Sequence, residues 1–209
     1  MAAGRFLTFE GGEGSGKSTL IRGLQEVLAA RGHDVVVTRE PGGTPLAEAA
    51  RALVLTPPVD EDWSPVAQAL LVNAARRDHI ERLIVPALER GAWVLSDRFA
   101  DSTRVYQGQG GVEDHVLDTL ETLTVGDTRP DLTFILDADP AELQQRRTDR
   151  GISDVFENKP LSFHQGIRAR FLHLAGQNRD RCVIMDALSP IEAVKTAALS
   201  VIETRFGAV

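Results

Sequence analysis

The stretch Gly11-Gly12-Glu13-Gly14-Ser15-Gly16-Lys17-Ser18-Thr19 decides the fold. It fits the pattern G-x-x-x-x-G-K-[ST] without a mismatch, and this pattern is typical of a loop that binds nucleotide phosphates. A β-prone run at residues 6–9 precedes it, and apolar residues at helical spacing follow it over residues 20–28. Its glycines let backbone amides surround an anion at the start of a helix. We therefore predict a phosphate-binding loop between a strand and a helix, and not a glycine-rich turn without a ligand.

Two side chains of this loop have expected roles that follow from its chemistry. Lys17 is expected to reach the β- and γ-phosphates of a nucleotide, and Ser18 is expected to hold Mg²⁺ through its hydroxyl group. Such a loop alone leaves GTPases, ATPases, kinases and transport motors open. The other polar residues at the strand ends must therefore distinguish between these classes.

The composition indicates one soluble globular domain spanning residues 1–209. Hydrophobic residues make up 43% of the chain, and 30 acidic against 23 basic residues give a net charge of −7, which does not suit a nucleic-acid-binding surface. No apolar run approaches membrane-spanning length, and charged residues interrupt any signal-peptide core. The single cysteine, Cys182, excludes an internal disulfide and is expected to be a small buried residue. We expect a cytoplasmic protein without nucleic-acid or membrane partners.

Five short apolar runs predict buried strands that alternate with helices. The four that follow the first lie at residues 35–37, 93–95, 132–136 and 183–185. This alternation predicts an α/β fold with a parallel sheet that is covered by helices on both faces. The dipeptides Ser64-Pro65, Asp139-Pro140 and Ser189-Pro190 are typical of helix starts, and the first is expected to open one long helix that ends at Gly91. Residues 99–111 are polar and are predicted to form a loop.

Polar residues follow the second and third strands at the edge of the sheet where α/β proteins bind ligands. If the strand order is that of small P-loop kinases, Asp97 and Arg98 lie beside the phosphate loop. Asp97 can hold Mg²⁺ through water and Arg98 can bind the phosphate of a second substrate, although a surface ion pair is the alternative. Arg76 and Arg77 form a further candidate anion site, or one solvated helix face.

A basic segment between two predicted helices suggests a lid over the phosphates. It covers about residues 146–160 and carries Arg146, Arg147, Arg150 and Lys159 around Gly151. Closure of such a segment would bring positive charge to the phosphates and exclude water. A mobile charged loop without a function is the alternative reading of the same composition.

Four stretches together resemble the bacterial thymidylate kinase family over about residues 5–205. They are GGEGSGKST, TREPGGT at 38–44, SDRFADSTRVYQG at 96–108 and PDLTFILDADP at 130–140. The resemblance implies a P-loop kinase three-layer sandwich with a five-stranded parallel sheet and a short lid. It also implies transfer of the γ-phosphoryl group of ATP to dTMP, giving dTDP, with Mg²⁺, in a homodimer.

The resemblance also implies roles for individual residues. The catalytic residues are expected to be Lys17, Asp97, Arg98 and Arg150. ATP is expected to contact Gly11, Gly12, Glu13, Gly14, Ser15, Gly16, Lys17, Ser18 and Thr19, and Mg²⁺ is expected to contact Ser18 and Asp97. The dTMP site is expected to contain Glu13, Arg39, Pro41, Arg51, Val72, Arg76, Arg98, Thr103, Tyr106 and Gln107. Because Glu13 leaves the phosphate loop without an arginine, the lid is expected to supply one, with Arg150 favoured over Arg146 and Arg147.

Three positions depart from the family pattern and keep alternatives open. Val72 stands where the family usually has a phenylalanine that stacks on thymine, Val155 replaces an arginine, and Gly166 replaces a basic residue. A kinase for dUMP or for a nucleotide with a modified base is therefore the nearest alternative. A nucleotide-binding switch that uses ATP without phosphorylating a small molecule is a further one, although a second anion site at Arg76 and Arg98 argues against it.

Overall fold

Five parallel strands form one sheet in the order β2-β3-β1-β4-β5 in the computed structural model, which describes residues 4–59, 61–148, 155–156 and 159–207. The strands are β1 (Arg5–Gly11), β2 (Val35–Arg39), β3 (Trp93–Asp97), β4 (Leu132–Asp137) and β5 (Cys182–Asp186). In the register, Phe9 of β1 lies opposite Asp97 of β3, and Gly11 lies opposite Leu136 of β4. The carboxyl ends of the three central strands therefore meet where the phosphate loop begins. The predicted α/β fold class is confirmed.

Helices cover both faces of this sheet. They are α1 (Lys17–Ala30), α2 (Pro45–Leu55), α3 (Pro65–His79), α4 (Val85–Glu89), α5 (Ala100–Gln109), α6 (Asp114–Thr124), α7 (Pro140–Thr148), α8 (Leu161–Gln177) and α9 (Ile191–Phe206). Alternate residues of a strand point to opposite faces, so Leu7 and Phe9 pack with α1 and α9, whereas Phe6 packs on the other side against Ile80, Ile84 and Phe99. Among the described helices, none is long and apolar enough to span a bilayer.

Two of the three predicted helix starts are confirmed by their hydrogen bonds. The Ser64 hydroxyl accepts a bond from the Ala67 amide at 3.2 Å, and Asp139 Oδ1 accepts one from the Ala141 amide at 2.9 Å. The third helix begins at Ile191, directly after Ser189-Pro190, but the capping role of Ser189 is wrong, because its hydroxyl donates to Asp186 Oδ2 at 2.9 Å. The preceding strand end thus competes successfully for this hydroxyl group.

The structure corrects three further predictions. Residues 100–109 form helix α5 and not a loop, because most of the polar residues on its inner face are buried and bonded, which hides the apolar periodicity of a helix. The single long helix is interrupted by a π-helical turn at Ile80–Ile84 before α4. Strand β2 lies at the sheet edge, so that Val37 is 42% exposed instead of buried.

Candidate active site

The phosphate loop connects β1 to α1 through backbone conformations that only glycine adopts easily. Gly11 has φ +130°, and a Cβ atom there would lie 2.4 Å from the Leu136 carbonyl oxygen. Gly16, with φ +92°, directly precedes the first residue of α1. Both positions let the chain wrap closely around the N-terminus of α1, where the amide groups and the helix dipole favour an anion.

Lys17 lies folded back onto this loop. Its Nζ donates to the carbonyl oxygens of Gly11 at 3.2 Å and Gly12 at 2.9 Å, and to the Ser15 hydroxyl at 3.4 Å. The side chain is buried, and burial together with the charge of Arg98 lowers the pKa of the Lys17 ammonium to about 8. A cation held by neutral carbonyls in this way is ready to exchange them for phosphate oxygens.

This pKa predicts that ATP binding takes up a proton near pH 8. There, Lys17 is half protonated in the free protein, so about half a proton is expected to bind when phosphate oxygens raise the pKa of the lysine again. Calorimetry in buffers of different ionisation enthalpy measures this uptake. Lys17→Arg is the matched control, because a guanidinium stays charged at this pH. Equal uptake in both proteins would contradict the assignment.

Asp97 and Ser18 meet at the C-terminal end of β3. The Ser18 hydroxyl donates to Asp97 Oδ2 at 2.7 Å on the exposed edge of the loop. A hydroxyl and a carboxylate are hard oxygen ligands of the kind that Mg²⁺ prefers, and Mg²⁺ usually takes one or two protein ligands beside phosphates and water. Within the described ranges, no group of three or more His, Cys, Asp and Glu residues could hold a metal by itself. The pair therefore fits Mg²⁺ that is bound together with phosphates.

An open cavity lies next to the loop. It brings together all residues that the sequence analysis assigns to the dTMP site except Arg39, namely Glu13, Pro41, Arg51, Val72, Arg76, Arg98, Thr103, Tyr106 and Gln107. Arg39 instead lines a separate groove beside Ser18 and Asp97, where it pairs with Glu48 at 2.9 Å. The cavity and the phosphate loop share Glu13, so that they form one continuous site.

Arg98 is the central cation of the cavity. Its Nη2 donates to Glu13 Oε1 at 2.7 Å and to the Tyr106 hydroxyl at 3.1 Å, and its Nη1 donates to Ser102 Oγ at 3.0 Å. The Tyr106 hydroxyl in turn donates to Glu13 at 2.7 Å. Although partial burial opposes it, the charges of Arg98 and Lys17 hold the pKa of Glu13 below its ordinary value. Burial raises the pKa of Tyr106, which therefore stays a neutral donor.

Arg76 forms a rigid part of the cavity wall. Its Nε donates to Glu40 Oε2 at 2.7 Å, and both side chains are only 3% exposed. Its Nη1 donates to Asn73 and its Nη2 donates to Thr103, at 3.0 and 2.9 Å. The other oxygen of Glu40 lies 3.0 Å from His79 Nδ1. Arg77, by contrast, forms an exposed pair with Glu81, so the two neighbouring arginines have different environments.

Comparison with known proteins identifies the family. The thymidylate kinase family model matches residues 9–198. A thymidylate kinase of Caulobacter vibrioides is 53% identical over 99% of this chain and its own full length, and one of Nitrobacter winogradskyi is 48% identical over 97% of this chain and 89% of its own. This chain belongs to the thymidylate kinase family.

A solved structure agrees with this membership. The thymidylate kinase of Ehrlichia chaffeensis superposes with a TM-score of 0.79 at 32% identity, covering 96% of this chain and 99% of that one. The five-stranded parallel sheet described above is therefore a thymidylate kinase fold. As a member of this family, the chain is an ATP-dependent phosphotransferase.

Val72 shares the cavity with an aromatic residue from another part of the chain. Phe156 lines the same cavity as Val72, and its ring packs edge-on against Tyr106 with centroids 5.3 Å apart. The aromatic side chain that position 72 lacks is therefore not missing from the cavity. It comes instead from the segment between α7 and α8.

Some residues of the cavity escaped the sequence analysis, and one predicted residue lies outside the described part of the chain. The cavity is also lined by Glu40, Val54, Leu55, Phe99, Ser102 and Phe156. Glu40, Phe99 and Ser102 lie within the stretches that carry the family resemblance and Phe156 lies within the basic segment, which was the available signal, whereas no motif marked Val54 and Leu55 on α2. Of the predicted lid arginines, Arg146 and Arg147 belong to α7, whereas Arg150 lies outside the described residues.

Proposed function

We propose that this chain transfers the γ-phosphoryl group of ATP to dTMP, giving dTDP and ADP. The observation that carries this proposal is the contact between Glu13 of the phosphate loop and Arg98 of the cavity, at 2.7 Å. It joins a nucleotide phosphate site to a second site with its own cation. A nucleotide switch needs only the first of these, and the names of the relatives favour dTMP over dUMP as acceptor.

The chemistry requires positioning and charge neutralisation more than covalent work by the protein. Lys17 and the loop amides stabilise charge on the transferred group, and Arg98 aligns the acceptor phosphate for in-line attack. A nucleoside monophosphate is already a competent nucleophile, so no general base is needed. Ser18 and Asp97 would hold Mg²⁺, which supplies further neutralisation of phosphate charge when it is bound. A lid arginine, with Arg150 preferred to Arg146 and Arg147, completes the site.

The base is proposed to bind in the part of the cavity that is lined by Val72, Thr103, Tyr106, Gln107 and Phe156. Thr103 and Gln107 offer polar groups to the thymine edge, while Tyr106 can crowd out a ribose 2′-hydroxyl. Phe156 offers an aromatic contact in place of the one that Val72 lacks, and such contacts add about 1 kcal/mol. Phe156→Ala is therefore expected to raise the KM for dTMP about fivefold. An unchanged KM would remove Phe156 from the base site.

Substrate choice is tested by ADP release with ATP and Mg²⁺ against dTMP, dUMP, UMP, dCMP, dGMP and dAMP. We expect a strong preference for dTMP, with dUMP second because it lacks only the methyl group. One methyl group in an apolar pocket gives about tenfold discrimination. Preference for another monophosphate would keep the mechanism and replace the substrate. Activity with none of them would contradict the proposal.

We also propose that the protein is a homodimer, which its exposed apolar residues support. Leu46 and Leu53 on α2, Val66 and Leu70 on α3, and Leu123 on α6 are between 40% and 72% exposed. These three helices are neighbours, since α3 contacts both α2 and α6. Exposed apolar side chains on neighbouring helices are typical of protein interfaces, and a two-fold interface uses one such face twice.

Light scattering after gel filtration tests the dimer. Leu70→Glu is expected to give monomers, because a two-fold interface would bury two new carboxylates. Ile184→Glu is the matched control, since Ile184 is also 50% exposed but lies on the edge strand β5. A Leu70→Glu protein that stays dimeric would exclude this face.

We further propose a cytoplasmic location. The free, buried Cys182 suits a reducing compartment. Cell fractionation tests this location.

A further inference from the structure

Glu10 is a fully buried carboxylate that has no part in the chemistry described above. It lies near the end of β1, directly before the phosphate loop. Its Oε1 accepts a hydrogen bond from the Phe99 amide at 2.8 Å, and its Oε2 accepts one from the Ser102 hydroxyl at 2.6 Å. Both partners follow Arg98 in sequence. Glu10 thus connects the strand before the phosphate loop to the segment that carries the central cation of the cavity.

The backbone of Arg98 needs such support. Its φ is +72°, and among the described residues it is the one non-glycine residue with a positive φ. This conformation is strained for a side chain with a Cβ atom, and it persists only where neighbouring contacts enforce it. The Arg98 amide donates to the Phe9 carbonyl at 2.9 Å, and Ser96 Oγ donates to the Arg98 carbonyl at 2.7 Å. Glu10 fixes the following residue through the Phe99 amide.

Glu10 also controls the guanidinium of Arg98 through a shared hydroxyl. Ser102 has one hydroxyl hydrogen, which it donates to Glu10, so its oxygen remains free to accept the bond from Arg98 Nη1 at 3.0 Å. The direct separation between Arg98 Nη1 and Glu10 Oε2 is 4.0 Å. A carboxylate that only accepts hydrogen bonds therefore determines the direction of the Ser102 hydroxyl, and with it the place of Arg98.

We propose that Glu10 is a positioning residue that holds Arg98, through Ser102 and the Phe99 amide, in the orientation that receives the acceptor phosphate. This inference rests on the proposed role of Arg98. It concerns a residue that touches neither substrate in the proposed arrangement. Its effect is therefore expected on the acceptor and not on ATP.

The surroundings of Glu10 make this function sensitive to pH. Burial first, and then the charge of Asp101, raise the pKa of Glu10 to about 7, against the opposing effects of Arg98, Ser102 and the Phe99 amide. Lys17 faces it from α1, Cys182 lies near it on β5, and Asp101 is itself paired with Arg181 at 2.6 Å. The carboxylate form is lost as pH falls through about 7. Acceptor binding that depends on Glu10 is therefore expected to weaken as the pH falls through this value.

The test is the dissociation constant of dTMP, measured by calorimetry for Glu10→Gln. Glutamine keeps the size of the side chain, but it offers one acceptor oxygen to two donors, the Phe99 amide and the Ser102 hydroxyl. We expect dTMP binding to weaken about tenfold at about pH 8, as for the loss of one hydrogen bond to a charged group, with little change for ATP. The part of the pH dependence that the wild-type protein shows near pH 7 is expected to flatten in the variant.

Asp131→Asn provides a matched control. Asp131 Oδ2 also accepts a backbone hydrogen bond from β1, at 2.8 Å from the Phe6 amide, but at the opposite end of the strand. The same chemical change there is expected to leave the dissociation constant of dTMP within about twofold, because it lies outside the cavity. A similar loss of dTMP binding in both variants would indicate a general structural effect and would overturn the proposal.

A second variant keeps the proposal testable if Glu10→Gln does not fold. Ser102→Ala removes the shared hydroxyl and is expected to weaken dTMP binding too. The double variant is expected to bind dTMP no more weakly than whichever single variant binds it less tightly. Unchanged dTMP binding in Ser102→Ala would overturn the positioning role, and where Glu10→Gln folds, additive losses or unchanged dTMP binding in that variant would overturn it too. If Arg98→Met also leaves dTMP binding unchanged, the failure lies in the proposed function of Arg98 instead.

Discussion

Replacing Lys17 with methionine is expected to lower kcat about 10³-fold while the protein stays folded, as for the loss of one preorganised donor to a transition state. Methionine keeps the length of the side chain but removes the ammonium group that contacts the Gly11 and Gly12 carbonyls. In the free protein these contacts hold the cation inside the phosphate loop. During transfer the same cation would neutralise charge on the moving phosphoryl group.

The expected stability of the Lys17→Met protein follows from the pKa. Burial lowers the pKa of Lys17 to about 8 from an ordinary value of 10.5, so folding disfavours its charged form, and this cost is present at pH values below about 8. Removal of the charge is therefore expected not to lower Tm. Lys195→Met, which removes a lysine paired with Glu192 on α9, serves as the control with normal activity. Near-normal ADP release by Lys17→Met would contradict the assignment of residues 11–19 as a loop that binds nucleotide phosphates.

Arg98→Met is expected to lower kcat/KM for dTMP about 10³-fold, more than the loss of a single neutral contact would. The substitution removes the cation from the cavity and leaves the Glu13 carboxylate, which lies 2.7 Å from Arg98 in the wild type, without this partner. The acceptor phosphate would then meet a negative charge instead of a positive one. The KM for ATP is expected to change much less.

A second substitution separates these two effects. Glu13→Gln in the Arg98→Met background is expected to recover about tenfold in kcat/KM, because it removes the repulsion between Glu13 and the acceptor phosphate but does not restore the missing cation. Arg77→Met is the matched control, since Arg77 forms an exposed pair with Glu81 and lies outside the cavity lining. If Arg98→Met retains kcat/KM for dTMP within tenfold of the wild type, Arg98 does not receive the acceptor phosphate.

The parts of the fold that follow local rules could be predicted from the sequence. The phosphate loop has a fixed pattern, and parallel strands place their ends at one edge of the sheet, which brings Asp97 next to Ser18. Helix α5 could not be predicted in this way, because its inner face carries Asp101, Thr103 and Gln107, which are buried. The hydrogen-bond partners of Asp101 and Thr103 come from elsewhere in the chain, namely Arg181 and Arg76. Hydrophobic periodicity therefore does not predict a helix of this kind.

The sequence indicated some residues of the candidate site and not others. Most of the cavity lining came from the family resemblance and not from physical reasoning. Glu40 was missed because its role depends on Arg76, which lies 36 residues away in the chain. The aromatic ring of Phe156 was missed as a cavity residue, because only the folded chain brings it beside Tyr106. Arg39 lies outside the cavity, because β2 ends on the far side of Asp97, at the edge of the sheet.

The buried pair of Arg76 and Glu40 has a consequence for the thermodynamics of acceptor binding. Four of the five N–H hydrogens of Arg76 are engaged, since Nε bonds Glu40, Nη1 bonds Asn73, and Nη2 bonds both Thr103 and the Phe99 carbonyl. The conformational entropy of this long side chain is therefore lost during folding and not during binding. A nucleotide that enters the cavity therefore meets a surface that is already ordered on this side.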